Sequence, residues 1–410
     1  MRAKWAGLWK CAAWTGIGLS LYAGWLTVDD VRDRASSERD ISAACDGLVS
    51  GAEVMDLQGG MVRAESTDWE PHRLDVADLP GNCVIYKVPS PGKSSLLFSL
   101  HVEADHGDEP LNEIGDEQDD PFVSVTRGRD PKADVTAVAD MFPEPHDLGD
   151  GTLGHYTDQY VTVRAACTTD SRAGAPKLLN VTARAEYEDV SAADRERLAR
   201  LARSAAQKVT DRLDCRTRLP ALPDELTSVS ARLRPARTAD ASCRWFARHL
   251  DAHGQRRLPD RALPVPVGSA APVERCLLAV SPDQVRRVAR GLDEGQREYA
   301  DVALTHSPWW MRTVSYFGPE ADTVGFPQDR HPRLIEPGTA GGTRGGWWAS
   351  SLCDGRPALH TLSSAYLYDN VLGGKEIAAL FRAYVDDITR RRGCTHVTFP
   401  KDKAFADVGK

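Results

Sequence analysis

The segments "LARLARSAAQKVTDRLDC" (198–215) and "IAALFRAYVDDITRRRGC" (377–394) reach a cysteine through the same apolar rhythm. Aligned without a gap from Cys215 and Cys394, Leu198 matches Ile377, Leu201 matches Leu380, Ala202 matches Phe381, Ala205 matches Tyr384 and Val209 matches Ile388. Offsets of 3, 4, 7 and 11 place each set on one side of a helix, the stripe that packs on a core. Pro220 and Pro400 follow and stop whatever comes after each helix. The two stretches read as the closing helix of one domain, used twice.

The remaining cysteines extend that reading. Cys45, Cys83, Cys167 and Cys215 are separated by 38, 84 and 48 residues; Cys243, Cys276, Cys353 and Cys394 by 33, 77 and 41. The order short, long, medium recurs, as an internal repeat requires. The neighbourhoods agree: "AACDGL" and "ASCRWF" open helical patterns, "NCVIYKV" and "RCLLAVS" enter strands, and "YVTVRAAC" and "WWASSLC" close them. An even set without C-x-x-C spacing favours disulfides over metal ligation. A pattern that must hold in both copies favours Cys45 with Cys83, Cys167 with Cys215, Cys243 with Cys276, and Cys353 with Cys394.

The ninth cysteine, Cys11, begins an uncharged run of 18 residues, CAAWTGIGLSLYAGWLTV (11–28). As a helix it is about 27 Å long, enough for a bilayer core. Arg2, Lys4 and Lys10 precede it and Asp29 and Asp30 follow, which puts residues 1–10 in the cytoplasm and the rest outside. A cleaved signal peptide is the rival reading, although no A-x-A site follows and bulky Trp25 and Tyr22 stand where small residues belong. Ala12, Gly16, Ser20 and Gly24 recur every fourth position, a spacing through which two such helices can pair as a homodimer.

At 410 residues the chain exceeds one ordinary core. The expected layout is a stalk over 29–41, a first extracytoplasmic domain over 42–218, a linker over 219–230, a second domain over 231–402 and a tail over 403–410. Strand patterns such as "SSLLFSLHV" (94–102), "PFVSVT" (121–126), "YVTVRAAC" (160–167), "WWMRTVSYF" (309–317) and "ALHTLSSAYLY" (358–368) lie between helices that open and close each unit. Each repeat is therefore expected to be α+β, an antiparallel sheet with packed helices. Residues 29–222 carry 22 Lys/Arg against 37 Asp/Glu, whereas 223–410 carry 26 against 22. Neither balance is that of a nucleic-acid binder.

With "CDGL" at Cys45, "NCVIY" at Cys83 and the closing "LARLARSAAQKVTDRLDC", the domain resembles small membrane-anchored or secreted envelope proteins of actinobacteria, some with PsbP-like folds. Here the unit is doubled and no lipobox precedes Cys11, which follows "LWK". The resemblance implies a cell-envelope location and no established catalysis, and it transfers no functional residue.

For chemistry, "HSPWW" (306–310) and "GGTRGGWW" (341–348) make Trp309, Trp310, Trp347 and Trp348 the candidate binding residues, an aromatic wall for wall glycan or peptide. The bland alternative is two core strands beside a glycine turn. "GGTRGG" lacks the lysine of a P-loop. Residues 103–120 are acidic enough to suggest calcium but lack EF-hand spacing, so a solvated loop is the stronger expectation. His146, His155 and His360 are possible bases, yet no G-x-S-x-G or H-E-x-x-H occurs. No catalytic residue, metal or cofactor is expected. The expected function is a membrane-held binding or scaffolding module with an envelope protein or wall polymer as partner. The alternative is an enzyme acting on wall polymer between the repeats.

Overall fold

A computed structural model describes residues 27–66, 73–88, 95–105, 110–114, 120–122, 134–139, 141, 143–168, 176–268, 270–327 and 332–406, with Trp14, Tyr22 and Trp25. In chain order the helices are α1 (27–44), α2 (Gly51–Met55), α3 (Ala192–Arg212), α4 (Arg244–His253), α5 (Pro282–Ala289), α6 (Glu294–Thr305), α7 (Tyr368–Leu372) and α8 (Gly374–Arg392). The strands of the first half are β1 (Ala64–Ser66), β2 (Gly81–Lys87), β3 (Ser95–Ala104), β4 (Asn112–Glu113), β5 (His146–Asp147), β6 (Gly154–Tyr156), β7 (Tyr160–Ala166) and β8 (Leu178–Ala185). Those of the second are β9 (Arg234–Pro235), β10 (Arg261–Pro264), β11 (Val273–Ala279), β12 (Trp310–Phe317), β13 (Val324–Phe326), β14 (Arg333–Leu334), β15 (Gly341–Thr343), β16 (Gly346–Cys353), β17 (Arg356–Ser364) and β18 (Thr395–Thr398). The expected strand 121–126 lies largely outside the described residues.

The two closing helices are α3 and α8, and all ten residues matched between them are buried. Each helix is followed by a residue in the left-handed region, Asp214 (φ 50°) and Gly393 (φ 64°), immediately before the cysteine. After α8 the turn closes as Cys394 N donates to Thr389 O at 2.8 Å, satisfying a carbonyl that the helix leaves open.

Sheet order follows a common plan. The seven-stranded sheet runs β1-β2-β3-β8-β7-β6-β5, and the larger one runs β15-β16-β17-β12-β11-β10-β9 with β18 also on β16. From β10, the second reads β10-β11-β12-β17-β16-β15, the order β1-β2-β3-β8-β7-β6 strand for strand. Cys83 sits on β2 and Cys276 on β11; Cys167 follows β7 and Cys353 ends β16. The register matches as well. Gly81 faces Val102 and Glu274 faces Ser315, each pair beginning two residues before its cysteine. Asp105 N–Leu178 O and Glu186 N–Leu97 O bracket a register that sets Val102 opposite Val181, as Ser315 stands opposite His360.

Four disulfides close the frame: Cys45–Cys83, Cys167–Cys215, Cys243–Cys276 and Cys353–Cys394, the pairs expected from the sequence. Each loop of 33 to 48 residues constrains the unfolded chain by about 4 kcal/mol in the entropy model.

Two compact units can be told apart. One holds the described residues up to Val102, with Gln159–Val161 and Val181–Arg212; the other holds those of Glu103–Asp158, Thr162–Asn180 and Leu213 onward. In the first, residues 29–41, expected as a stalk, are helical, and the helix docks instead of standing free. Ser37 Oγ accepts from Ala64 N at 3.1 Å, Arg34 reaches Glu38 at 3.0 Å and Asp56 at 2.5 Å, and Ile41 and Ala44 are buried. Gly51 allows α2 to approach, since a Cβ there would stand 2.0 Å from Glu38 O. The expected membrane segment 11–28 lies almost wholly outside the described residues. Among those described, no helix is long and apolar enough to cross a membrane.

In the second unit one face of the large sheet packs under α4–α8 around Phe246, Trp309, Trp347, Phe381 and Tyr384. Side chains of this size contribute about 1.5–3 kcal/mol each on burial. The opposite face packs Val314, Tyr316, Trp348 and Leu359 against Ile114 and Val324. Ile114 follows β4, which pairs parallel with β13 and so fixes the end of the acidic stretch. The segment 219–230 is no free linker: Leu219, Leu226 and Val229 are buried, and Asp158 accepts from Val229 N at 2.9 Å and Ser228 Oγ at 2.6 Å. The described part of the tail also packs, with Phe405 on Trp347.

Candidate functional site

The four tryptophans form no open wall. Trp309 stacks on Tyr368 at 5.1 Å, Trp347 stacks on Phe405 and donates its indole N–H to Ala404 O at 3.0 Å, and Trp348 stacks on Phe326 at 5.0 Å. Trp310 lies beside the Arg312 guanidinium, 5.5 Å from its ring centroid. Even Trp348, the most exposed, keeps 9% of its surface. Glycines Gly341 and Gly342 serve this packing, because a Cβ on either would fall within 2.6 Å of a tryptophan ring carbon. The wall expected from sequence is core.

Of the three histidines, His360 lies deepest. Its Nδ1 is 2.7 Å from Ser315 Oγ and its Nε2 2.9 Å from Ser351 Oγ; Ser315 Oγ is also 2.6 Å from Tyr384 OH. Strands β12, β16 and β17 and helix α8 supply this chain, and all four side chains are buried. Burial pushes the imidazole down to about 3, so it is neutral, with one nitrogen donating and the other accepting. Serine beside histidine is the arrangement of a nucleophile and base, but both nitrogens are engaged and no surface is reachable, so it is a satisfied internal network.

His146 and His155 belong to a second cluster, built where β5, β6 and β7 meet β11 inside the second unit. Asp147 on β5 is the direct antiparallel partner of His155 on β6, which places the two side chains side by side on one face. Arg164 on β7 forms a buried ion pair with Glu320 at 2.6 Å, and Arg312 on β12 binds Glu144 at 2.7 Å. Glu274 on β11 is held by Arg391 and, at 3.6 Å, by Arg392. Two glycines permit the close approach: a Cβ on Gly151 would stand 2.9 Å from Ala271 Cα, and one on Gly268 2.8 Å from Asp150 O. Gly268 N in turn donates to Asp147 Oδ2 at 3.4 Å.

These contacts leave a small, partly open pocket with room for about one water, lined by Pro145, Asp147, Val265, Val273, Glu274 and Arg275 among others. Burial raises the Asp147 carboxyl against the opposing pull of Gly268 N–H, Arg275, Arg164 and Arg392. Burial, then the Arg275 and Arg164 charges, hold His155 well below the usual imidazole range. Glu320 is also raised by burial, with Arg164 and Arg275 opposing. Asp147, Glu274 and Arg275 give the pocket a polar wall that the tryptophans lack, while the His155 imidazole stands beside β5 and is not among the lining residues. Sequence reasoning named His155 as a possible base but passed over Asp147 and Arg275, which nothing local marks.

Most acids of the 103–120 stretch lie outside the described residues. Among the described residues, no three His, Cys, Asp or Glu side chains gather as a metal-binding set. Comparisons with protein-family models, with curated proteins and with solved structures find no match to this chain.

Proposed function

We propose that this chain is a single-pass cell-envelope protein, anchored through residues 11–28 with its N-terminus in the cytoplasm, whose duplicated, disulfide-stapled α+β ectodomain serves as a binding or scaffolding module. The observation that carries it is the set of four disulfides at corresponding points of two sheets that share a run of six strands in the same order. Disulfides in such number belong to an oxidising compartment, and the shared order with its shared register supports duplication of one unit. The likeness to actinobacterial envelope proteins fits the same location.

Topology is the test. External protease added to intact spheroplasts should degrade everything beyond about residue 28 and leave the N-terminal tag protected. Full protection of the chain, or its release into the soluble fraction without treatment, contradicts the anchored reading.

One observation favours a second reading, an enzyme acting on wall polymer between the repeats. The pocket draws Asp147 from the first half and Glu274 and Arg275 from the second, with the Asp147 carboxyl raised by burial. Purified peptidoglycan incubated with the protein should then release soluble fragments, and Asp147→Asn should abolish the release. No release with the unaltered protein leaves the binding module as the account.

A further inference from the structure

Helix α4 ends on HLDAH (249–253), and the ring centroids of His249 and His253 lie 4.5 Å apart with 40° between their planes. Residues four apart share one face of a helix, so the backbone itself holds the two imidazoles side by side. Neither ring makes a hydrogen bond or ion pair among the described residues, in contrast to His360, whose two nitrogens are both engaged. His249 is buried over most of its surface, but its nitrogens are not among the buried polar atoms left without a partner, so they face solvent. His253 is exposed. Burial, then the charge of His253, holds the His249 imidazole below its usual range, in the neutral form that offers a lone pair. Two imidazoles so placed repel one another when both are charged.

A shared cation turns that closeness to use. Two imidazole nitrogens about 2.0–2.1 Å from one metal ion, at an angle between square and tetrahedral, set their ring centroids about 4.5–5.2 Å apart. The observed separation lies at the short end of that span. His253 is the last residue of α4, where the partial negative charge of the helix end also favours a cation. From this we infer that His249 and His253 together bind one divalent transition cation, zinc, nickel or copper, through one ring nitrogen each. Imidazole selects these ions over calcium and magnesium, which take oxygen ligands. Among the described residues no set of three His, Cys, Asp or Glu side chains gathers, so water or a donor from another molecule completes the coordination. The spacing is that of the paired histidines in H-E-x-x-H, but Leu250 occupies the glutamate position and is buried in the core. The pair thus lacks the general base of a metalloprotease and is a site for binding. It depends on neither the membrane anchor nor the duplication.

The test uses the full-length, oxidised protein in detergent, without a histidine tag, stripped with EDTA and titrated calorimetrically with Zn²⁺. Saturable binding of one cation per chain is expected, undisturbed by an excess of Mg²⁺. His253→Gln, a change at an exposed residue, should weaken it at least about tenfold, since even the outer-shell partners of a metal ligand are worth about 10–100-fold in affinity. His249→Gln should do the same. Zn²⁺ should raise the melting temperature of the unaltered protein and not that of either variant. Exposed His306→Gln should leave the affinity unchanged. Absence of saturable Zn²⁺ binding, full affinity in His253→Gln, an equal loss in His306→Gln, or displacement of Zn²⁺ by Mg²⁺ overturns the inference. His253→Gln decides the matter even where His249→Gln fails to fold. None of these outcomes touches the spheroplast result, so failure of the cation site and failure of the location are separable.

Discussion

The two halves of the chain bury corresponding positions with different chemistry. Where the first places Val102, Ala165, Val181 and Ala205, the second places Ser315, Ser351, His360 and Tyr384. The correspondence follows from the cysteines and the register: Ala165 and Ser351 lie two residues before Cys167 and Cys353, and Ala205 and Tyr384 ten before Cys215 and Cys394. All eight are buried. The difference teaches that this frame of strands, helix and staples tolerates either an apolar centre or a polar one, provided the polar one is complete. In the second half each hydroxyl and ring nitrogen has a partner, and an incomplete version would carry the cost of unpaired buried groups.

The largest effect is expected from moving one polar residue alone into the apolar half. Val181→His would bury an unpaired imidazole, about 1–3 kcal/mol, and overpack the site by about 1–3 kcal/mol. Denaturant unfolding should show a loss of about 4 kcal/mol; a loss below about 1 would mean that the first half supplies partners the comparison says it lacks.

Removing one staple at a time compares the halves directly. Cys167→Ala with Cys215→Ala, and Cys353→Ala with Cys394→Ala, should each cost about 4 kcal/mol, since the loops of 48 and 41 residues differ little. A large inequality in thermal melting would show that the two staples do not do the same job.

Next comes the reverse exchange, His360→Val, which strands Ser315 and Ser351 at a cost of about 1–3 kcal/mol. Adding Ser315→Val, Ser351→Ala and Tyr384→Phe should restore much of the loss, and failure to do so would refute the equivalence of the two centres. The same variants carry a pH signature. The folded His360 titrates at about 3, below its unfolded value, so its neutral form is favoured by the fold. That contribution is complete above about pH 6.5 and is lost as pH falls toward 3, by up to about 1.4 kcal/mol per pH unit. The quadruple variant should flatten stability between pH 6.5 and 4, relative to the unaltered protein.

Smallest is the helix end. Asp214→Gly should stabilise by about 0.5–1 kcal/mol, because a non-glycine residue there holds φ at 50°, while Gly393→Ala should destabilise by a similar amount. Equal melting temperatures for both changes would separate the two turns.

Much of this frame could be read before folding. The helices α3 and α8 announce themselves by period, and the cysteines by spacing, because both signals are local or repeated. The pocket could not be read so. Asp147 and Arg275 are 128 residues apart and meet only because β5 reaches the loop before β11, an approach licensed by Gly151 and Gly268. The tryptophans misled for a physical reason: aromatic strands beside glycine look the same whether the glycine opens a face to ligand or lets a ring lie flat on the backbone. Prolines suggested a free linker at 219–230, whereas its leucines and Val229 were already the signal of burial.

The proposed reading is of one unit used twice and stapled outside the cytoplasm. Non-reducing peptide mapping of the full-length protein from the cells that make it tests this most directly. Four linked pairs, Cys45–Cys83, Cys167–Cys215, Cys243–Cys276 and Cys353–Cys394, are predicted, with no free thiol among the eight. A crossed link such as Cys45 to Cys215, or free thiols throughout, would contradict it.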